Sequence, residues 1–205
     1  MTEQCVERVL DEIGYVRLVD HMGSDLSIVR AARTSFNADW RAGENEGSDE
    51  KLIHYLMKNR HSTPFEAVVF TFEICCPIFI ARQWHRHRTW AYNEVSARYT
   101  ELDIGYYIPP LSSIGKQSTN NKQARDLTEP LTKREREDRQ LFQTHLRAVS
   151  DRAERHYKAA LEVGIPRELA RLFLPVNAYT RYFGTVNLWN LFHFIGLREH
   201  RHAQY

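Results

Sequence analysis

Cysteine is scarce in this chain of 205 residues: there are three, Cys5, Cys75 and Cys76. Thiols at these positions make neither a disulfide framework nor a zinc-binding pattern. The adjacent pair would point to opposite faces of a strand, which suits buried structural roles. Glycine is also sparse, nine in all. None of it forms a phosphate-cradling loop or a dinucleotide fingerprint, which argues against P-loop and Rossmann enzymes. No apolar run approaches ~20 residues, so no membrane span is expected. The opening stretch MTEQCVERVLDEIG is acidic and lacks an apolar signal core, so a soluble, cytoplasmic protein is the expectation. Excess charge is missing too. The 28 Lys and Arg and 26 Asp and Glu leave a net charge of +2, whereas bulk binding to nucleic acid needs a strongly basic face.

What is present is local. Residues 83–100, QWHRHRTWAYNEVSARYT, gather Arg86, Arg88, Arg98, two histidines, ring-stacking aromatics, Asn93, Glu94 and Ser96. Planar cations, aromatics and one carboxylate at this density suit a flat, anionic, heteroaromatic ligand, the description of a nucleotide. The length predicts one domain, residues 1–205, large enough to bury roughly 70% of its unfolded surface without staples.

Periodicity and punctuation predict the elements. Residues 14–21 read as a strand, followed by a helix capped at Ser24 or Asp25 and running through Ala32. Residues 37–47 are a polar loop, and a helix from Ser48 ends near Lys58 and Arg60, with acid at its start and base at its end. Pro64 opens a short helix. VVFTFEI, residues 68–74, is a buried strand. Pro77 opens a helix with Ile78, Ile80, Ala81 and Trp84 on its apolar side; the key run starts on that helix, with Gln83 to Arg88 as its helical half, and passes into a loop or strand, with Asn93 to Arg98 as its extended half. Residues 111–133 are an irregular loop. In residues 134–163, Phe142, Leu146, Val149, Ala153, Tyr157 and Ala160 form an amphipathic helical seam that Gly164 stops. A helix from Pro166 through Leu174, an extended stretch at 180–186 and an apolar helix at 188–199 complete an α/β (α+β) domain.

The candidate residues admit bland readings as well. Arg86-His87-Arg88 is either a pair of phosphate- or carbonyl-binding forks or a solvated basic helix end. Glu94, Ser96 and Arg98 alternate, so on an extended segment they would face one side. Arg171 and Arg198 each sit at the polar edge of an apolar helix, where an arginine often only snorkels. Asn187 and Asn190 offer amides at a helix start, as an anion site or as a cap. His85-x-His87 and His200-x-His202 raise a metal site, but no H-x-x-x-H or carboxylate cluster supports one and the arginines would repel a cation, so no metal is expected. Ser96 lacks the elbow of a hydrolytic nucleophile.

Arg86-His87-Arg88, seven residues and then Ser96 resembles the R-H-R-(x)7-S signature of flavin-dependent thymidylate synthases. HSTPFE (61–66), PIFIARQW (77–84), NEVSARY (93–99), PRELARLFLP (166–175), YTRYFGTVN (179–187) and LREHRHAQ (197–204) resemble the same family, in its order. The resemblance implies a single domain with a central, mostly antiparallel sheet flanked by helices, assembled as a homotetramer with sites shared between subunits. It implies methylation of dUMP to dTMP, with methylenetetrahydrofolate as one-carbon donor and FAD, reduced by NADPH, as hydride carrier. Gln83, Trp84, His85, Arg86, Glu94, Val95, Ser96, Ala97, Arg98 and Arg171 would hold dUMP. Arg198 would complete that site and act as the catalytic residue, stabilising the uracil as an N3/O2 anion. His61, Thr63, Arg86, His87, Arg88, Glu94, Asn187, Leu188, Trp189 and His193 would contact FAD, His61 also standing where folate enters. No enzyme thiolate is needed. The sequence departs from the family pattern at Trp189 and His193, and it ends at Tyr205, soon after His-Ala-Gln, where the family continues into another helix. Two other readings are a single-stranded RNA module that uses the arginine–aromatic run for stacking and a family member without turnover.

Overall fold

The computed structural model describes residues 6–102, 105–119, 125–127 and 130–199; Cys5, His200, His202 and the end of the LREHRHAQ motif lie outside them. Its frame is a five-stranded antiparallel sheet in the order β1-β2-β3-β7-β4, with β1 Val6–Arg8, β2 Tyr15–Met22, β3 Val69–Pro77, β4 Ala91–Glu94 and β7 Tyr179–Asn187. A separate two-stranded hairpin pairs β5 Lys116–Gln117 with β6 Arg125–Asp126. The helices are α1 Asp25–Thr34, α2 Glu46–Lys58, α3 Ile78–Trp84, α4 Lys133–Glu162, α5 Arg167–Ala170 and α6 Leu188–Arg198. This is the expected α+β class with an antiparallel sheet.

Alternation along β3 divides the core. Ile74 and Cys76 pack with Ala81, Trp84 and Tyr182 on one face, while Cys75 packs with Tyr107 and Tyr179 on the other. The neighbouring cysteines therefore do face opposite ways. Burial pushes the Cys75 thiol up to about 11 and the Cys76 thiol up to about 12, so both stay protonated near neutral pH. Glu73, on the Cys75 face, is 1% exposed. It is tolerated there because Arg17 of β2, directly opposite in register, and Arg181 of β7 both pair with its carboxylate. A third cluster, Ile28, Leu56, Phe65 and Val68, joins α1 and α2 to Leu188 and Trp189 at the start of α6.

The elements depart from the sequence expectations at identifiable residues. Helix α2 begins at Glu46, ahead of Ser48, because the Asn45 side chain accepts from Ser48 N at 3.0 Å. Strand β3 continues through both cysteines to Pro77, which takes the N-cap position of α3 and not its first turn. Helix α3 stops at Trp84, so Arg86, His87 and Arg88 lie in a turn and not on a helix. Helix α5 ends at Ala170 and tightens into a 3-10 turn, Arg171–Phe173. β1 was not expected.

Helix α4 starts on a capping box in which Thr132 N donates to Glu135 Oε2 at 2.9 Å and Glu135 N to Thr132 Oγ1 at 3.3 Å. Its 30 residues span about 45 Å. Tyr157 of its predicted seam is buried, but Phe142 and Val149 are exposed.

Gly184 sits where β7 passes beneath Trp90. A Cβ there would lie 3.0 Å from Trp90 Cε3 and 3.4 Å from Ile74 Cδ1. Gly184→Ala is expected to cost about 1–3 kcal/mol by overpacking, measured as a lower urea midpoint with an unchanged m-value.

Candidate functional site

The turn after α3 is held from below. The His87 N–H donates to Trp84 O at 2.9 Å. The Tyr92 hydroxyl, rising from β4, donates to the carbonyls of Trp84 at 3.1 Å and His87 at 2.9 Å. Burial raises Tyr92 to about 12, which keeps it a donor. Aromatic packing then sorts the side chains of the run. The Trp84 ring stacks on Phe194 of α6 with centroids 4.7 Å apart. His85 lies against Tyr92 at 4.5 Å and Tyr182 at 4.9 Å. The Arg86 and Arg88 side chains are left exposed, and neither guanidinium has a hydrogen-bond or ion-pair partner among the described residues.

Helix α6 brings its last turn to the same place. Asn187 caps it by accepting from Asn190 N at 2.9 Å, and Leu188 N donates to Val68 O at 2.8 Å. At the far end Arg198 donates to His87 Nε2 from Nε at 3.0 Å, with Nη2 2.8 Å from the same nitrogen and 3.4 Å from Gln83 O. Arginine only donates, so His87 Nε2 is the unprotonated acceptor. The His87 pKa is lowered, first by burial and then by the charges of Arg198 and His193.

A second group surrounds a cavity of about 350 Å³ lined by Glu94, Val95, Ser96, Ala97, Arg171 and Thr180, among others. Val95 N donates to Arg181 O at 2.9 Å, carrying the β4–β7 pairing one step past the strand. The chain then turns. Arg98 N donates to Ser96 Oγ at 3.2 Å and Tyr99 N to Ser96 O at 3.0 Å. The turn ends the expected alternation of Glu94, Ser96 and Arg98. Glu94 and Ser96 line the cavity; the Arg98 side chain is exposed and lies 5.8 Å from the Tyr99 ring centroid. Thr180 Oγ1 donates to Glu94 Oε1 at 2.6 Å. Arg171 Nε donates to Glu168 O at 3.2 Å.

The other sequence-predicted residues are spread around these groups. His61 follows α2 and meets Tyr55 edge-on at 5.9 Å. Thr63 starts the 3-10 turn Thr63–Ala67. Trp189 packs on Phe65, centroids 6.0 Å apart, and belongs to the α1–α2 cluster. His193 is exposed on α6. Within one chain the structure brings residues 94–97 and Arg171 together, and separately Gln83, His87 and Arg198; Arg198 does not line the cavity. Among the described residues no three His, Cys, Asp or Glu gather as a metal site, and no helix is long and apolar enough to cross a membrane. A larger cavity of about 780 Å³ beside α1 and α2 holds none of the predicted residues.

Sequence reasoning passed over Thr180, Tyr92 and Phe194. One signal was available: Asn190, Phe194 and Arg198 recur every four residues and so share a helix face.

The His87–Arg198 contact has a pH dependence of definite sign. A histidine with a depressed folded pKa contributes stability above its unfolded value, near 6.5, and loses it as pH falls and the ring is protonated. In NMR titration His87 is expected to show a midpoint below 6.5, moving upward in Arg198→Ala.

The family model described as Thymidylate synthase complementing protein matches residues 17–205. A flavin-dependent thymidylate synthase of Thermotoga neapolitana is 44% identical over 197 residues, 96% of this chain and 81% of the relative. One from Treponema pallidum is 43% identical over 96% of this chain and 62% of its own length. One from Anaplasma marginale is 46% identical over 97% of this chain and 65% of its own. Among solved structures, the UMP/dUMP methylase PolB of Streptomyces cacaoi bound with 5-Br dUMP superposes with a TM-score of 0.74 at 38% identity, over 91% of this chain and 78% of that one. The same methylase bound with 5-Br UMP gives a TM-score of 0.79 at 35% identity, over 97% of this chain and 84% of that one.

Proposed function

The chain belongs to the flavin-dependent thymidylate synthase family of enzymes, and from that premise we propose that it methylates the uracil C5 of dUMP to give dTMP, with methylenetetrahydrofolate as one-carbon donor and FAD, reduced by NADPH, supplying the hydride. The observation that carries this reading is the convergence of Glu94, Ser96 and Arg171, far apart in sequence, on one cavity. Its volume of about 350 Å³ falls within the ~300–1,000 Å³ usual for ligand sites. Arg171 offers a cation for the nucleotide phosphate, Ser96 a hydroxyl and Glu94 an acceptor. The donor set also fits FAD: the exposed guanidinium groups of Arg86 and Arg88, unpaired among the described residues, match a pyrophosphate, with Thr63, His87, Asn187 and His193 as further polar groups.

Arg198 is the residue for the uracil ring. A fixed guanidinium beside N3 and O2 stabilises the negative charge that makes C5 nucleophilic. His87 and Gln83 hold that guanidinium in place. Neither Cys75 nor Cys76 serves as a nucleophile, since both are buried and protonated.

The proposal extends to a homotetramer with shared sites. Two features support it. Arg198 and the cavity belong to separate groups in one chain. Apolar residues also stay exposed along α4 (Phe142, Val149) and α6 (Phe192, Ile195, Leu197), which is what a covered face would look like.

With NADPH and methylenetetrahydrofolate present, FAD-loaded protein is expected to release tritium from dUMP labelled at C5. No release would overturn the proposed reaction. Arg198→Ala is expected to keep its flavin absorbance and lose turnover by roughly 10²–10³-fold.

A further inference from the structure

The deepest polar contact in the cavity comes from a residue that the family resemblance does not assign. Thr180 is 1% exposed. It pairs with Cys76 in the β3–β7 register, and on its other side it lies diagonal to Glu94, which is registered with Tyr182. Its hydroxyl donates to Glu94 Oε1 at 2.6 Å, and both residues line the cavity with Ser96 and Arg171.

Glu94 is at the end of β4 and exposed, where a glutamate side chain samples several rotamers. Arg171, the cation that shares the cavity, makes no ion pair with it among the described residues. Thr180 is the one described residue whose side chain fixes the carboxylate. An ionised carboxylate only accepts. With Oε1 engaged by a buried, immobile hydroxyl, Oε2 remains available to a donor in the cavity.

We propose that Thr180 is a positioning residue: it sets the Glu94 carboxylate so that Oε2 accepts a hydrogen bond from an N–H or hydroxyl of the bound nucleoside monophosphate. The inference rests on the nucleotide reading of the cavity. Thr180 itself does not touch the reacting atoms.

The test uses the full-length, FAD-loaded protein with dUMP as the probe. Calorimetric dUMP affinity and steady-state kinetics are compared for the wild type, Thr180→Val, Thr180→Ser, Glu94→Ala and the Thr180→Val/Glu94→Ala double variant. Thr180→Val is expected to weaken dUMP binding about tenfold, the lower end of what a hydrogen bond to a charged group contributes, and to raise KM more than it lowers kcat. Thr180→Ser is expected to restore binding. In the Glu94→Ala background, Thr180→Val is expected to add almost nothing, because the group it positions is gone. Wild-type affinity in Thr180→Val, or an equal loss with and without Glu94, overturns the inference while leaving the nucleotide reading intact. A wild type that binds no dUMP overturns the reading and the inference with it. Should Thr180→Val fail to fold, Thr180→Ala against Thr180→Ser gives the same comparison.

Discussion

The antiparallel pairing of β4 with β7 is the constraint on which the rest of the site depends. β4 has four residues, yet both groups of candidate residues hang from it. Tyr92, opposite Gly184, reaches back to hold the turn that displays Arg86 and Arg88. Glu94, opposite Tyr182, enters the cavity and meets Thr180. β7 serves β4 on one edge and β3 on the other, and Asn187 at its end caps the helix that delivers Arg198. A register slip of one residue in this pairing would turn Tyr92 and Glu94 to the opposite face.

The arginines divide according to what the sheet needs. Arg17 and Arg181 close on the buried Glu73 between β2 and β7 and make that carboxylate tolerable. Arg198 rests on a neutral imidazole, which holds its position and leaves its charge uncompensated. The guanidinium groups of Arg86 and Arg88 have no partner among the described residues. Three environments thus leave cationic charge concentrated around residues 86–88 and 198 in a chain whose net charge is only +2.

Much of the fold was legible because local signals and global fold agree. The β-branched and aromatic run of β3, the helical periodicity of α4, and Gly164 just past its end all act where they stand. The failures occur where a side chain outside the window decides. Asn45 starts α2 early. Tyr92 holds residues 85–87 as a turn after α3 has ended, so an amphipathic reading carried the helix too far. For the site, residue types in the 83–100 run pointed to a nucleotide, and the resemblance named Arg171 and Arg198. Which of them meet was not legible. The contact of Arg198 with His87 and that of Thr180 with Glu94 join positions distant in sequence, and nothing in local spacing marks such pairs. Trp189 is a further case: the resemblance implies that this aromatic contacts FAD, and in the fold its ring packs against Phe65.

The two cysteines of β3 have a consequence of their own. A thiol reacts with peroxides, alkylating agents and heavy metals through its thiolate. Cys75 and Cys76 lie inside the sheet on opposite faces, and burial holds both protonated. Oxidants and electrophiles therefore meet these two thiols buried and in their less reactive, protonated form.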